Sequence, residues 1–237
     1  MSNAVSLVTG AAGALGSAVV RVLASAGQRI ALVDLPRARK RLDEVASDVG
    51  GASLVAPLDL TQPNEWSKAL ERVESELGPI TGAALIAGGW QGGAPFHAPG
   101  GADPYSAMLQ VNLETVRCSL QALLPGMTAR GKGSIVVVGS RVVERPWEGA
   151  SAAAYTASKA AVVALAQAVA GEVLARGVRV NAVLPSIIDT HANRQAMPKA
   201  DHSTWVSPTS LANVIRFLLS DDARDISGAA IPVYGRV

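Results

Sequence analysis

The chain has 237 residues, 49% apolar and 17% charged, with 23 Gly and 13 Pro. That size and composition suit one α/β domain with a sizeable core, and exclude a disordered, collagen-like or disulfide-stapled chain. The 21 Lys and Arg against 19 Asp and Glu leave a net of +2, with no basic tail or stripe pointing to nucleic acid.

Cys118 is the only cysteine, so neither an intramolecular disulfide nor a Cys-based metal cluster can form. Residues 1–10 lack a basic leader region and run straight into a strand pattern. The longest apolar stretch, 160–171, is interrupted by Gln167 and is too short to span a bilayer. These features predict a soluble, cytoplasmic protein without a membrane segment.

Short β-branched runs alternate with helical patterns from end to end. The strands are expected at 4–9, 29–34, 52–58, 82–87, 134–139, 178–184 and 229–234. Helices are expected near 14–27, 37–49, 63–77, 104–130, 152–175 and 208–221. Runs such as Ile135-Val136-Val137-Val138 are apolar throughout, as in strands covered on both faces by helices. The alternation predicts a doubly wound, Rossmann-type parallel sheet of about seven strands with right-handed crossovers, filling one domain over 1–237.

Ligands of such sheets bind beyond the carboxyl ends of the strands. The long loops 88–103, 140–151 and 185–207 all follow strands and therefore gather at that edge. They carry Trp90, Phe96, His97, Trp147, His191, His202 and Trp205, where a substrate would sit. For any one of these rings the plainer reading is packing of its loop onto the body.

The first strand runs into Gly10-Ala11-Ala12-Gly13-Ala14-Leu15-Gly16 and then an apolar helix. Gly10 permits the tight turn, Gly13 lets backbone approach a pyrophosphate, and Gly16 allows close helix–strand packing. Asp34 ends the second strand, 18 residues beyond Gly16, where an acid reaches ribose hydroxyls. Its charge repels a 2′-phosphate and favours NAD(H). Arg37, opening a basic run through Arg41, could reach such a phosphate, so NADP(H) stays possible.

Tyr155-Thr156-Ala157-Ser158-Lys159 opens an Ala-rich helix, so Tyr155 and Lys159 share one face a turn apart. A phenol is a poor base at neutral pH, and a neighbouring ammonium moves its pKa towards the working range.

With the glycine loop and Tyr-x-x-x-Lys, the chain resembles the short-chain dehydrogenase/reductase family over its whole length. Ser140 after the fifth strand matches the family serine, and Asn112 in Val111-Asn112-Leu113 matches the helix asparagine. The resemblance implies an oxidoreductase acting on CH–OH and C=O groups. Tyr155 would exchange a proton with the substrate oxygen, and Ser140 would hydrogen-bond it. Lys159 would hold the nicotinamide ribose and tune Tyr155, and Asn112 would position a water linking Lys159 to solvent.

By the same resemblance Pro185, Ser186, Ile188 and Thr190 would lie around the nicotinamide, and Asp59 would contact the adenine. Ala12, Ala14, Leu15, Leu35, Leu60, Ala87, Gly88 and Gly89 complete the expected coenzyme contacts. The segment Ala87-Gly88-Gly89-Trp90-Gln91-Gly92-Gly93, and Asp189-Thr190 through Trp205, are similar to dihydropteridine reductases of the same superfamily. Trp90 could then stack a flat pterin.

The leading reading is a ketone/secondary-alcohol reaction with NAD(H). Reduction of a quinonoid dihydropterin is the alternative, and NAD(H) sensing without turnover is a third. Trp90, His97, Arg141, Trp147 and Trp205 are the substrate-facing candidates, and no metal is expected. Cys118 and Trp66 read as packing. The helices at 104–130 and 152–175 carry more apolar residues than one buried stripe needs, and the family pairs them across a two-fold, so a homodimer or homotetramer is expected.

Overall fold

Among the residues that the computed structural model describes (4–51, 53–97 and 104–236), strands form where the β-branched runs lie. They are β1 (Val5–Thr9), β2 (Arg29–Val33), β3 (Ser53–Val55), β4 (Ile80–Leu85), β5 (Gly133–Val138), β6 (Val178–Pro185) and β7 (Ala230–Val233). All pairings are parallel, in the order β3-β2-β1-β4-β5-β6-β7. Residue 52 of the third expected strand and 98–103 of the first long loop lie outside the described residues.

The helices are α1 (Ala14–Ser25), α2 (Arg39–Val49), α3 (Pro63–Glu76), α4 (Tyr105–Met108), α5 (Thr115–Arg130), α6 (Ala153–Val173), α7 (His191–Ala196) and α8 (Pro208–Leu219). Strand side chains alternate between two cores. Leu7 and Val137 join Trp66, Leu120, Val162 and Ala166 from α3, α5 and α6 on one face. Val8 and Val136 join Val19, Leu42, Leu211 and Ile215 from α1, α2 and α8 on the other. This two-sided burial explains why the strands read as unbroken apolar runs.

The expected helix at 104–130 is one continuous rod, but Leu109–Glu114 within it is wound as a π-helix. The expected loop at 185–207 holds the short α7, which Thr190 caps by accepting from the Asn193 N–H. With its 3₁₀ extension, Ala153–Arg176 is the one described helix long and apolar enough to cross a bilayer. Val162, Val163, Ala166 and Ala170 nevertheless bury one of its faces in the core. The order of neighbours reverses between β1 and β4, and the loops leaving these strands define the crevice where ligands enter such sheets.

Candidate active site

At the carboxyl end of β1, Gly10 adopts φ +65° and Gly13 caps α1. A Cβ on Gly16 would stand 2.0 Å from the Gly10 carbonyl oxygen, so only glycine lets α1 pack this close to the turn. No side chain caps α1 and no acid lies in its first turn. The first-turn N–H groups of Ala14, Leu15 and Gly16 are thus oriented for an anion, and the turn fits a pyrophosphate.

Asp34 follows β2 and grips this turn. Its carboxylate accepts from the Ala12 N–H (3.1 Å) and the Leu35 N–H (2.8 Å). The cation that reaches the turn is Arg41, not Arg37. Arg41 donates to the Ala12 carbonyl (2.7 Å), whereas Arg37 is exposed on the turn Pro36–Ala38 before α2.

Asp59 is committed locally, accepting from the N–H and hydroxyl of Thr61 (3.0 and 2.8 Å). The buried Leu60 offers its carbonyl to the Trp66 indole (2.9 Å). Thr9, directly before the glycine turn, accepts from the N–H groups of Ile86 and Ala87 and fixes the exit of β4.

Tyr155 and Lys159 lie one turn apart on α6, and Ser140 follows β5. The Ser140 hydroxyl lies near enough to the Tyr155 phenol to act on it. Burial pushes the Tyr155 phenol above its ordinary value, and the neighbouring Ser140 hydroxyl offsets part of that rise. The expectation that Lys159 draws this pKa down is not met in this arrangement. Instead Lys159 donates to the Val138 carbonyl (2.9 Å), and burial lowers its pKa to about 8.

Asn112 sits inside the π-helical segment, buried. Its amide accepts from the Gly89 N–H (2.9 Å) and donates to the Gly89 carbonyl (3.1 Å) and to Ser158 Oγ (3.0 Å). It therefore ties the β4 loop, beyond Ala87 and Gly88, to α6. π-turns of this kind are often found at functional sites.

On the far side Pro185 ends β6, and Ser186 donates to the Tyr234 carbonyl (2.7 Å). The Ile188 carbonyl receives Asn193 Nδ2 (2.8 Å), and Asp189 and Arg194 form a two-bond ion pair (2.5 and 2.7 Å). That pair holds the Asp189 carboxyl below the usual range.

The five substrate-facing candidates separate. Trp90, His97 and Trp147 are exposed, and Arg141 is engaged by Glu148 (2.9 Å). Trp205 is buried, its ring 4.4 Å from that of His202, so packing accounts for it. Packing also accounts for Trp66 and for Cys118, whose thiol burial pushes up. Among the described residues no three His, Cys, Asp or Glu gather where they could hold a metal ion.

A model of the short chain dehydrogenase family matches residues 4–201. The chain belongs to that family, and is an oxidoreductase acting on CH–OH groups. It is similar to 2,5-dichloro-2,5-cyclohexadiene-1,4-diol dehydrogenase LinX of Sphingobium indicum, at 29% identity over 99% of this chain and 96% of that one. It is 30% identical to 2-(S)-hydroxypropyl-CoM dehydrogenase 3 of Xanthobacter autotrophicus, again over 99% and 96%. An NAD+-bound xylitol dehydrogenase superposes with a TM-score of 0.87 at 25% identity, covering 98% of both chains.

The buried lysine makes stability depend on pH. Between about 8 and its ordinary 10.5, the folded chain has released a proton that the unfolded chain still binds. Stability therefore rises with pH across that window, and the full penalty applies below it. Urea unfolding at pH 7 and pH 10 should show a rise in the wild type, relative to Lys159→Met, on the order of 3 kcal/mol. Parallel behaviour of the two proteins would show that Lys159 is not desolvated.

Proposed function

We propose that the protein interconverts a small ketone and its secondary alcohol with NAD(H), using Tyr155 as the acid–base group. The observation that carries this reading is the placement of buried Ser140 beside Tyr155, one helical turn from the buried Lys159. In reduction the Tyr155 hydroxyl gives its proton to the substrate oxygen while Ser140 donates a second hydrogen bond to it. In oxidation the proton returns to Tyr155. Its raised pKa keeps the phenol protonated at neutral pH, which suits the acid role. Lys159, a turn away and held by the Val138 carbonyl, would bind the nicotinamide ribose.

The coenzyme, when bound, supplies or accepts the hydride at its nicotinamide. The first turn of α1 would hold its pyrophosphate, Asp34 its adenosine ribose, and Ser186, Ile188 and Thr190 its nicotinamide end. Both relatives are named as dehydrogenases of hydroxylated compounds, which agrees with this reading. A quinonoid dihydropterin substrate has less in its favour, because that reading leaves Ser140 without a use. The single buried, unpaired Cys118 is in keeping with a reducing, cytoplasmic setting.

Tyr155→Phe should lower kcat by about a thousandfold, the scale of a lost acid or oxyanion donor. Its NADH affinity, read by fluorescence titration, should stay near wild type. Turnover at the wild-type rate would remove Tyr155 from the mechanism.

Coenzyme choice follows from two side chains on one residue. Asp34 holds the Ala12 N–H and Arg41 the Ala12 carbonyl, so acid and guanidinium border the same ribose site. NADH should bind more tightly than NADPH. Asp34→Ala should narrow that gap and Arg41→Met should widen it, each by about tenfold. A native preference for NADPH would reverse the assignment.

For assembly we propose a homodimer or homotetramer in which α5 and α6 pair across a two-fold. The outward face of α6 carries Ala157, Ala164, Ala168 and Gly171, small residues that allow close helix approach. Static light scattering should give two or four chain masses. A single chain mass at dilution would refute the pairing.

A further inference from the structure

The chain has only nine aromatic residues besides histidine, and the three most exposed lie in two loops at the catalytic edge. Trp90 is 66% exposed and Phe96 85% in the loop after β4, and Trp147 is 74% exposed in the loop after β5. Large apolar rings left in water on neighbouring loops mark a binding surface more often than scattered small ones do.

Both loops are fastened to the start of the catalytic helix. The Gly93 N–H donates to the Ser151 carbonyl (2.8 Å), and Ser151 is the one described non-glycine residue with positive φ (65°). A Cβ placed on Gly92 would meet Ala152 Cβ at 2.8 Å and Trp90 Cζ2 at 2.9 Å. The edge of the Trp90 indole is therefore held beside Ala152, three residues before Tyr155, while most of the ring stays open. On the other side Gly149, two residues beyond Trp147, abuts Thr156, the residue after Tyr155.

Charge narrows what this mouth takes. The four charged residues between Ser140 and Tyr155 are Arg141, Glu144, Arg145 and Glu148. Arg141 and Arg145 both bind Glu148 (2.9 and 3.2 Å). Tyr234 donates to Glu144, and Arg145 lies 6.0 Å from the centre of the same Tyr234 ring. The set sums to zero and both arginines already pair with Glu148, so it carries no surplus positive charge to select a carboxylate or phosphate.

We propose that Trp90 is a stacking platform for the substrate, and that the substrate is a neutral ring ketone or its alcohol. The proposal rests on the ketone/alcohol reading above and adds the substrate class to it. An indole face binds a flat, uncharged ring through dispersion and apolar burial, and it does little for a short open chain or a carboxylate.

The test compares 1-tetralone with acetone and acetoacetate as substrates of the NADH-loaded enzyme. 1-Tetralone should be the best of the three. Trp90→Ala should raise its KM about tenfold with a smaller change in kcat, and Trp90→Phe should restore most of the loss. Calorimetric titration of 1-tetralol into the enzyme–NADH complex should show the same loss of affinity without turnover. Equal loss for acetone and 1-tetralone would make Trp90 a brace for its loop and overturn the proposal. Preference for acetoacetate, no binding of 1-tetralol, or a changed light-scattering mass in Trp90→Ala would do so as well. If 1-tetralol binds in a Trp90-dependent way but no ketone is reduced, the platform stands and the reaction reading falls. Reduction of both ketones with no dependence on Trp90 gives the reverse.

Discussion

The bond from the Lys159 ammonium to the Val138 carbonyl sets the geometry of the catalytic edge. A buried ammonium is expensive to desolvate, so its acceptor has to be in place whenever the chain is folded. Val138 is the last residue of β5 and Lys159 lies in the second turn of α6. Fixing these two positions also brings Ser140, two residues past Val138, against Tyr155, four residues before Lys159. The next turn of α6 then inserts Val162 and Val163 into the core shared with Ile135 and Val137. One polar contact and one apolar face thereby hold the same helix in one register.

Most of the architecture was legible because burial on both faces of the sheet leaves an unmistakable pattern. Strand positions, the glycine turn and the Tyr155–Lys159 spacing are all local signals, and each element formed within a few residues of its expected range. What escaped depends on contacts between segments distant in sequence. α7 has six residues, too few for a helical period to register. The π-helical winding around Asn112 follows from that amide reaching Gly89 and Ser158, and the local sequence carries no signal for it.

The basic run illustrates the same limit. Arg37 lies nearest Asp34 in sequence, but the turn Pro36–Ala38 leaves it exposed. One helical turn further on, Arg41 points back to the glycine loop and meets Ala12. Trp205 likewise reads as a loop aromatic, and only the fold brings His202 against it and buries it. Sequence adjacency ranks such candidates poorly whenever a helix begins between them.

The scarcity of aromatic residues bears on the core and on the site together. Large rings usually dominate interior packing because each buries so much surface. Here the two cores are built from Val, Leu, Ile and Ala, with Trp66 the one large ring deep inside. Trp90 and Trp147 are kept out of that packing and carried on loops, beside the strained Ser151 and the desolvated Lys159. Each of these three features is unfavourable for folding by itself, and all of them lie at one edge of the sheet. Departures from the locally best choice persist where the surrounding structure holds them and function uses them. Their concentration around Tyr155 therefore argues for a working site independently of any motif.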